Sequence, residues 1–298
     1  MPTTIKISAA DLGTNTLKVT HATRVGIDEL RDMEHASDTV RLGAGIETTG
    51  RIEESRIDAC LTFLKEQEAI GIDYGSTDFV GVATEALRIA ENGQALLDRI
   101  HSETQWKIEI ISGNREAELT YLGLKDEVPA GVDCAIVDIG GGSTEVVVIR
   151  NGDVAIEVSV PIGSGRLADR FFESDPPGLE AEKLAISAAH AAFESALPAA
   201  GTIDFIMLAG GSGLFMNQLI EQLFGEPPFD VQTLGQLASH LSQTPASDTV
   251  ERIGIPKARA LVLPASVAVG VAVMERFSAS SALGVPSGIR MGLIREYK

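Results

Sequence analysis

Asp138-Ile139-Gly140-Gly141-Gly142-Ser143-Thr144-Glu145 follows the apolar run Cys134-Ala135-Ile136-Val137, and the reading of the whole chain turns on this junction. A buried strand that ends in a carboxylate and enters three consecutive glycines leaves backbone amides open to an anion, with no Cβ in the way. This is a phosphate cradle beside an acid suited to a metal. The N-terminus carries a second version, Ala9-Ala10-Asp11-Leu12-Gly13-Thr14-Asn15-Thr16, again behind a short apolar strand. Two such cradles predict a duplicated fold that closes on phosphate.

The same order of elements surrounds each cradle. In the first half, Ile5 to Ala10, Thr16 to Thr23 and Asp28 to His35 read as strands, with Gly26 at a turn and Arg41-Leu42-Gly43-Ala44-Gly45 after them. In the second half, Ala135 to Asp138, Glu145 to Arg150 and Val154 to Val160 are strands, Asn151-Gly152 is a hairpin turn, and Ile162-Gly163-Ser164-Gly165-Arg166 follows. Strand, acid plus glycine, strand, turn, strand, glycine pair is a shared grammar that predicts duplication.

Elsewhere strands alternate with helical patterns. Ile52, Ile57, Cys60, Leu61 and Leu64 form one apolar stripe from Arg51 to Ile70. Buried strands are predicted at Asp78 to Ala83 and Ile108 to Ile111, with a helix through Leu96, Leu97 and Ile100 separating them. Helices follow at Arg166 to Phe172, Leu179 to Leu197 and Gly213 to Phe224, with a strand at Phe205 to Ala209. A long helical run from Lys257 to Phe277, a strand near Ala279 to Leu283 and a short helix from Ser287 to Glu296 close the chain. The alternation predicts an α/β fold of two domains with mixed sheets flanked by helices. The expected divisions are 1–122 and 123–285, with the C-terminal helix 286–298 packing back on the first.

At 298 residues with 44% hydrophobic content and 30 glycines, the chain suits two globular α/β domains. Its net charge of −18 argues against a general nucleic-acid binder, so DNA is not an expected partner. A phosphate-rich substrate then needs local cations, for which Lys18, Arg41, Arg88, Arg115, Arg166 and Arg290 are candidates. Cys60 and Cys134 stand apart in apolar surroundings, which predicts buried thiols in a reducing compartment. There is no signal-peptide pattern. The longest apolar stretch, Ala260 to Met274, contains Pro264 and Gly270 and falls short of the ~18 residues of a membrane span. A cytoplasmic protein without a membrane partner is expected, its oligomeric state open and a homodimer among the options.

These features suit phosphoryl chemistry, which asks for amides and cations on phosphate oxygens and a group that orients the nucleophile. Asp11 and Asp138, each at a strand end, are candidate Mg²⁺ ligands, and Glu145 lies across the glycine turn from Asp138. In Ile111-Ser112-Gly113-Asn114-Arg115-Glu116-Ala117-Glu118, Ser112 or Asn114 caps a helix whose first turn holds Glu116. Acids are favoured there by the helix dipole in any case.

The motifs Asp11 to Thr16, Ala83-Thr84-Glu85-Ala86-Leu87-Arg88, Ile111-Ser112-Gly113 through Glu116-Ala117, and Asp138 to Glu145 together resemble the exopolyphosphatase/guanosine pentaphosphate phosphatase family. That family belongs to the actin-like, sugar-kinase and heat-shock ATPase superfamily. The resemblance implies two ribonuclease-H-like domains around a cleft and Mg²⁺-dependent release of orthophosphate from phosphoanhydrides, with polyphosphate or guanosine pentaphosphate as substrate. It casts Glu116 as catalytic base, Asp138 and Glu145 as metal or water ligands, and Arg88 as a phosphate contact. Gly140, Gly141, Gly142, Ser143 and Thr144 form one implied phosphate loop, and Thr14, Asn15 and Thr16 the other, with Lys18 beside it. Gly210-Gly211-Ser212-Gly213 matches a later glycine turn of the superfamily.

Departures from the family pattern bear on the expectation. Lys18 stands where an arginine is common, which puts bidentate phosphate binding there in doubt. Arg115 precedes Glu116 where a second acid is common, and Pro264-Ala265-Ser266 replaces a more glycine-rich turn. Longer members carry a further C-terminal helical domain, and its absence before Lys298 predicts short polyphosphates and weak processivity. A superfamily kinase and a non-hydrolytic phosphate-ligand sensor are the competing classes. The five histidines show no zinc spacing, and there is no Gly-x-Ser-x-Gly elbow.

Overall fold

The computed structural model describes residues 3–26, 29–197, 201–286 and 288–298. Two compact units account for the chain, Met1–Asp126 with Gly288–Lys298, and Glu127–Ser287. Each is built on a five-stranded mixed sheet. The first holds β1 (Thr4–Leu12), β2 (Leu17–Val25), β3 (Glu29–Asp38), β4 (Asp78–Ala83) and β5 (Lys107–Ile110) in the order β3-β2-β1-β4-β5. The second holds β6 (Cys134–Ile139), β7 (Thr144–Arg150), β8 (Asp153–Val160), β9 (Phe205–Ala209) and β10 (Ser281–Val285) in the order β8-β7-β6-β9-β10. The two orders are the same. In both, a central strand pairs antiparallel with its hairpin partner and parallel with the strand beyond it. The duplication read in the sequence is thus present as topology, and the two units are ribonuclease-H-like.

All ten strands among the described residues form where the sequence predicts one, with bounds that differ by up to three residues: β3 runs on to Asp38, and β10 is Ser281–Val285 where Ala279 to Leu283 is expected. Asn151 and Gly152 both take positive φ, 52° and 86°, which the tight turn into β8 requires. The predicted strand from Asp28 begins at Glu29, Asp28 itself lying outside the described residues. Alternation along β1 sorts its side chains: Ala10 and Leu12 enter one core with Leu64, Leu96 and Trp106, while Ile7 and Ala9 face Ile294. Asp11 has the parity of Ile7 and Ala9. It therefore shares the sheet face covered by helix Ile289–Glu296, which packs in turn on helix Gly113–Leu124. That contact is close, because a Cβ on Gly292 would overlap the carbonyl of Leu119 and one on Gly123 that of Gly288.

Three differences from the sequence reading have physical causes. The run Lys257–Phe277 forms helices Lys257–Ala260 and Leu263–Phe277, the second starting next to Pro264, which is tolerated in a first helical turn. By length and composition this run can cross a membrane, contrary to the reading of a short apolar stretch, but 83% of its apolar window is buried inside the protein. Helices Val231–Leu241 and Ala246–Ile253 occupy a region to which the sequence reading assigns no element. Asp230 caps the first by accepting from the amide of Thr233 at 2.8 Å.

Behind β1 lies a buried polar group: Ser8 Oγ sits 2.8 Å from His21 Nδ1, and His21 Nε2 sits 3.3 Å from Gln67 Oε1. Burial pushes the imidazole of His21 below its ordinary value of 6.5, against the opposing pull of Gln67 and Glu34. The fold thus disfavours the protonated ring, so this stabilisation is complete above the unfolded value and is lost as pH falls through the folded one. Thermal midpoints measured from pH 7 to pH 5 should fall, and His21→Gln should make that fall smaller. An equal fall in both proteins would show that His21 does not carry the acid sensitivity.

Candidate active site

The two glycine turns are closed by the same hydrogen bond. In the first unit the amide of Gly13 donates to the carbonyl of Thr16 at 3.2 Å, and in the second the amide of Gly140 donates to that of Ser143 at 3.0 Å. A Cβ on either glycine would lie 2.8 Å from Thr16 O or 2.9 Å from Ser143 O, so neither position admits a side chain without opening the turn. The segment after the third strand braces each turn. Arg41 donates its amide to Asn15 O at 2.8 Å and Gly43 to Thr14 O at 2.9 Å. In the second unit Ser164 donates to Gly140 O at 2.9 Å and Gly165 to Gly141 O at 2.8 Å. A Cβ on Gly163 would meet the Gly141 carbonyl carbon at 2.5 Å, which explains a glycine there.

These turns set the register of the strands, and the register decides what faces each aspartate. Asp11 pairs with Lys18, whose Nζ lies 3.7 Å from Asp11 Oδ2. Asp138 pairs with Glu145. Cross-strand partners in an antiparallel pair project to the same face, so the first hairpin presents an ion pair and the second presents two carboxylates. Glu145 is buried, and its Oε1 accepts from Ser159 Oγ at 2.7 Å. Like charges placed opposite one another are destabilising and call for a countercharge. A cation within electrostatic reach of Asp138 is Arg259, which sequence reasoning missed. Its guanidinium stacks over the Phe215 ring at 5.5 Å and lies 2.7 Å from where a Cβ on Gly211 would be. Burial pushes its pKa down, while Asp138 pulls it back up.

Ser143 and Thr144 are buried, and the Thr144 hydroxyl donates to Ile162 O at 2.5 Å, which ties the loop to the chain after β8. Asn15 and Thr16 are buried in the first turn. Of the other cations, Arg166 donates to Pro161 O, Arg290 to Val19 O, and Arg115 bridges Glu118 and Glu296.

The first unit also positions Glu116. Ser112 is the N-cap of helix Gly113–Leu124, its hydroxyl accepting from the amide of Arg115 at 3.2 Å, and Glu116 sits buried in the first turn. Arg88 Nη1 lies 3.8 Å from Glu116 Oε2 and donates to Ile111 O at 2.7 Å. Arg88 belongs to helix Glu85–Ile89, which starts where Thr84 donates its amide to Leu12 O at 3.2 Å. The motif of Arg88 is thereby tied to the end of β1, directly before the first glycine turn. Within this unit the structure brings together Asp11, Lys18 and the turn on one side of that tie and Arg88 with Glu116 on the other; within the second it brings together Asp138, Glu145, the loop and Arg259. Among the described residues no group of three or more His, Cys, Asp or Glu side chains is gathered to hold a metal by itself.

If Arg259 is the countercharge of Asp138, the two should be energetically coupled. A double-mutant cycle of Arg259→Gln and Asp138→Asn, read by denaturant unfolding, should give a coupling energy of about 0.5–3 kcal/mol. Additive effects would remove Arg259 from this role.

Comparison with known proteins places these features in a family. The model of the Ppx/GppA phosphatase family matches residues 20–297. Exopolyphosphatase 1 of Mycobacterium tuberculosis is 28% identical over 97% of this chain and 87% of its own length. Exopolyphosphatase 2 of the same organism is 30% identical over 83% of this chain and 78% of its own. A guanosine-5'-triphosphate,3'-diphosphate pyrophosphatase of Photobacterium profundum is 25% identical over 97% of this chain but 58% of its own length. Among solved structures, an exopolyphosphatase from Cytophaga hutchinsonii superposes with a TM-score of 0.84 at 23% identity, over 98% of this chain and 99% of that one, which shows the shared fold.

Proposed function

Because the chain belongs to the Ppx/GppA phosphatase family, we propose that it is a phosphoanhydride hydrolase, and specifically an exopolyphosphatase that releases orthophosphate from the end of polyphosphate. Support comes from the relatives named exopolyphosphatase and, within this chain, from one observation above the others. That observation is the turn Gly140–Ser143 with Asp138 and Glu145 in register at its stem. Backbone amides for phosphate oxygens and a paired oxygen-donor set for a hard cation are what the transfer of a phosphoryl group to water requires.

Asp138 and Glu145 fit Mg²⁺, which takes one or two protein carboxylates and keeps several waters. When bound, the ion supplies positive charge against the phosphate oxygens. Everything else in the proposed reaction falls to the chain itself. Glu116 takes a proton from the attacking water, the water oxygen bonds to the terminal phosphorus, and the anhydride bond breaks to leave a polyphosphate one unit shorter. Arg88 holds Glu116 in place and neutralises phosphate charge. Gly140, Gly141, Gly142, Ser143 and Thr144 form one phosphate loop, Thr14, Asn15 and Thr16 the other, and Lys18 offers a point charge to the anion. We also propose a cytoplasmic location, which suits two free, buried thiols, Cys60 pushed up to about 12 and Cys134 to about 11 by burial.

Guanosine pentaphosphate is the second reading, since it presents a terminal anhydride and the Photobacterium profundum relative is named for that substrate. The test is orthophosphate release from polyphosphate, guanosine pentaphosphate and ATP, with wild type beside Glu116→Gln. Loss of a general base costs about 10²–10⁴-fold in turnover. Polyphosphate should be the best substrate, with turnover reduced at least 100-fold and KM nearly unchanged in the variant. Full turnover by Glu116→Gln would take Glu116 out of the reaction, and release from guanosine pentaphosphate alone would favour the second reading.

A further inference from the structure

The first unit contains a cavity of about 330 Å³ that none of the chemistry above uses. Its floor is the face of β4 that carries the buried Val80 and Val82, and its walls are Ile111, Leu119 and Leu293. Register explains the opening. Val80 pairs with Lys107 and Val82 with Glu109, so all four share one face. Helices Gly113–Leu124 and Ile289–Glu296 cover that face over β1 and β4 but leave the edge strand β5 uncovered. Lys107 and Glu109 then stand on the rim, two residues apart on one side of the strand.

The rim charges are unequal in their commitments. Arg115 and Glu296 are bridged to one another, and the Tyr297 hydroxyl donates to Asp78 Oδ1 at 2.6 Å. Among the described residues neither Lys107 nor Glu109 enters an ion pair; Lys107 acts at longer range, helping to lower the carboxyl of Asp78. The cavity therefore offers one cation, one anion and a wall of branched aliphatic side chains. Its volume lies at the lower end of small-ligand sites, and such sites combine an apolar lining with few placed polar groups.

We propose that this cavity binds a small zwitterion with an apolar side chain, the class of the free branched or aromatic α-amino acids. The carboxylate pairs with Lys107, the ammonium with Glu109, and the side chain lies against Val80, Val82, Leu119 and Leu293. The site is an effector site, because its walls Ile111, Arg115 and Leu119 flank Glu116 on the chain and Ile111 carries the carbonyl held by Arg88. The effector role rests on the reading of Glu116 as the catalytic base; ligand binding does not.

Calorimetric titration of the full chain with L-leucine, glycine, 4-methylpentanoate and 3-methylbutylamine tests the ligand class. Hydrogen exchange of residues 113–124 with and without L-leucine tests the coupling, and it does so whether or not the protein turns over polyphosphate. L-leucine should bind saturably and more tightly than the three analogues, each of which lacks one of its groups. The exposed-rim variants Lys107→Ala and Glu109→Ala should each weaken it by about three- to fivefold while leaving basal phosphate release unchanged. Exchange in 113–124 should slow. No saturable binding, equal binding of 4-methylpentanoate, or indifference to both variants would overturn the site. Binding with unchanged exchange would overturn the effector role.

Discussion

The hydrogen bond that closes each glycine turn, Gly13 to Thr16 and Gly140 to Ser143, is the constraint on which the rest of the structure depends. A two-stranded antiparallel pair has a side-chain period of two, so moving the register by one residue would send every side chain to the opposite face. The turn prevents this. A Cβ at either glycine would press on the very carbonyl that accepts the bond, so the closure and the absence of a side chain are one requirement. From it follow the aspartate at the end of the central strand, its cross-strand partner, and the bracing of the turn by the chain after the third strand.

The same device gives two different electrostatic results because one position differs. In the first unit the residue opposite the aspartate is Lys18, and the pair is internally neutral; in the second it is Glu145, and the pair is doubly negative. A buried or half-buried pair of like charges persists only where cations compensate it. Arg259 supplies one such charge toward Asp138. On the proposed reading, the remaining demand suits the second hairpin, and not the first, to a divalent cation. In this account the first unit contributes the acid that handles water, Glu116, held at the start of a capped helix with Arg88 beside it.

Much of this was legible in the sequence, because periodicity and turn chemistry agree locally. Asp78–Ala83 was bounded to the residue by its apolar run before a Thr, and Asn151-Gly152 announced its hairpin by the backbone conformation those residues favour. Helix Val231–Leu241 was legible in principle: Asp230 precedes Leu234, Leu237, Ala238 and Leu241 at helical spacing, but the neighbouring prolines suggest a loop. Of the candidate site, the acids at the two strand ends could be named from local pattern, whereas for Glu116 the pattern gave a capped first helical turn and the family resemblance gave the role. Arg259 could not, since its relation to Asp138 arises from packing of segments far apart in the chain and leaves no local signal. The pairing of Asp11 with Lys18 is intermediate, for it becomes visible only once the turn is known to hold two strands in register.

The charge at position 145 is therefore the point at which the account is most exposed. Glu145→Lys gives the second hairpin the residue pair of the first, and Mg²⁺ binding can be followed directly by calorimetric titration of the wild type and the folded variant, with circular dichroism confirming the fold. The account predicts saturable Mg²⁺ binding by the wild type that Glu145→Lys abolishes while the fold is kept. Undiminished Mg²⁺ binding by the folded variant, or none by the wild type, would contradict it.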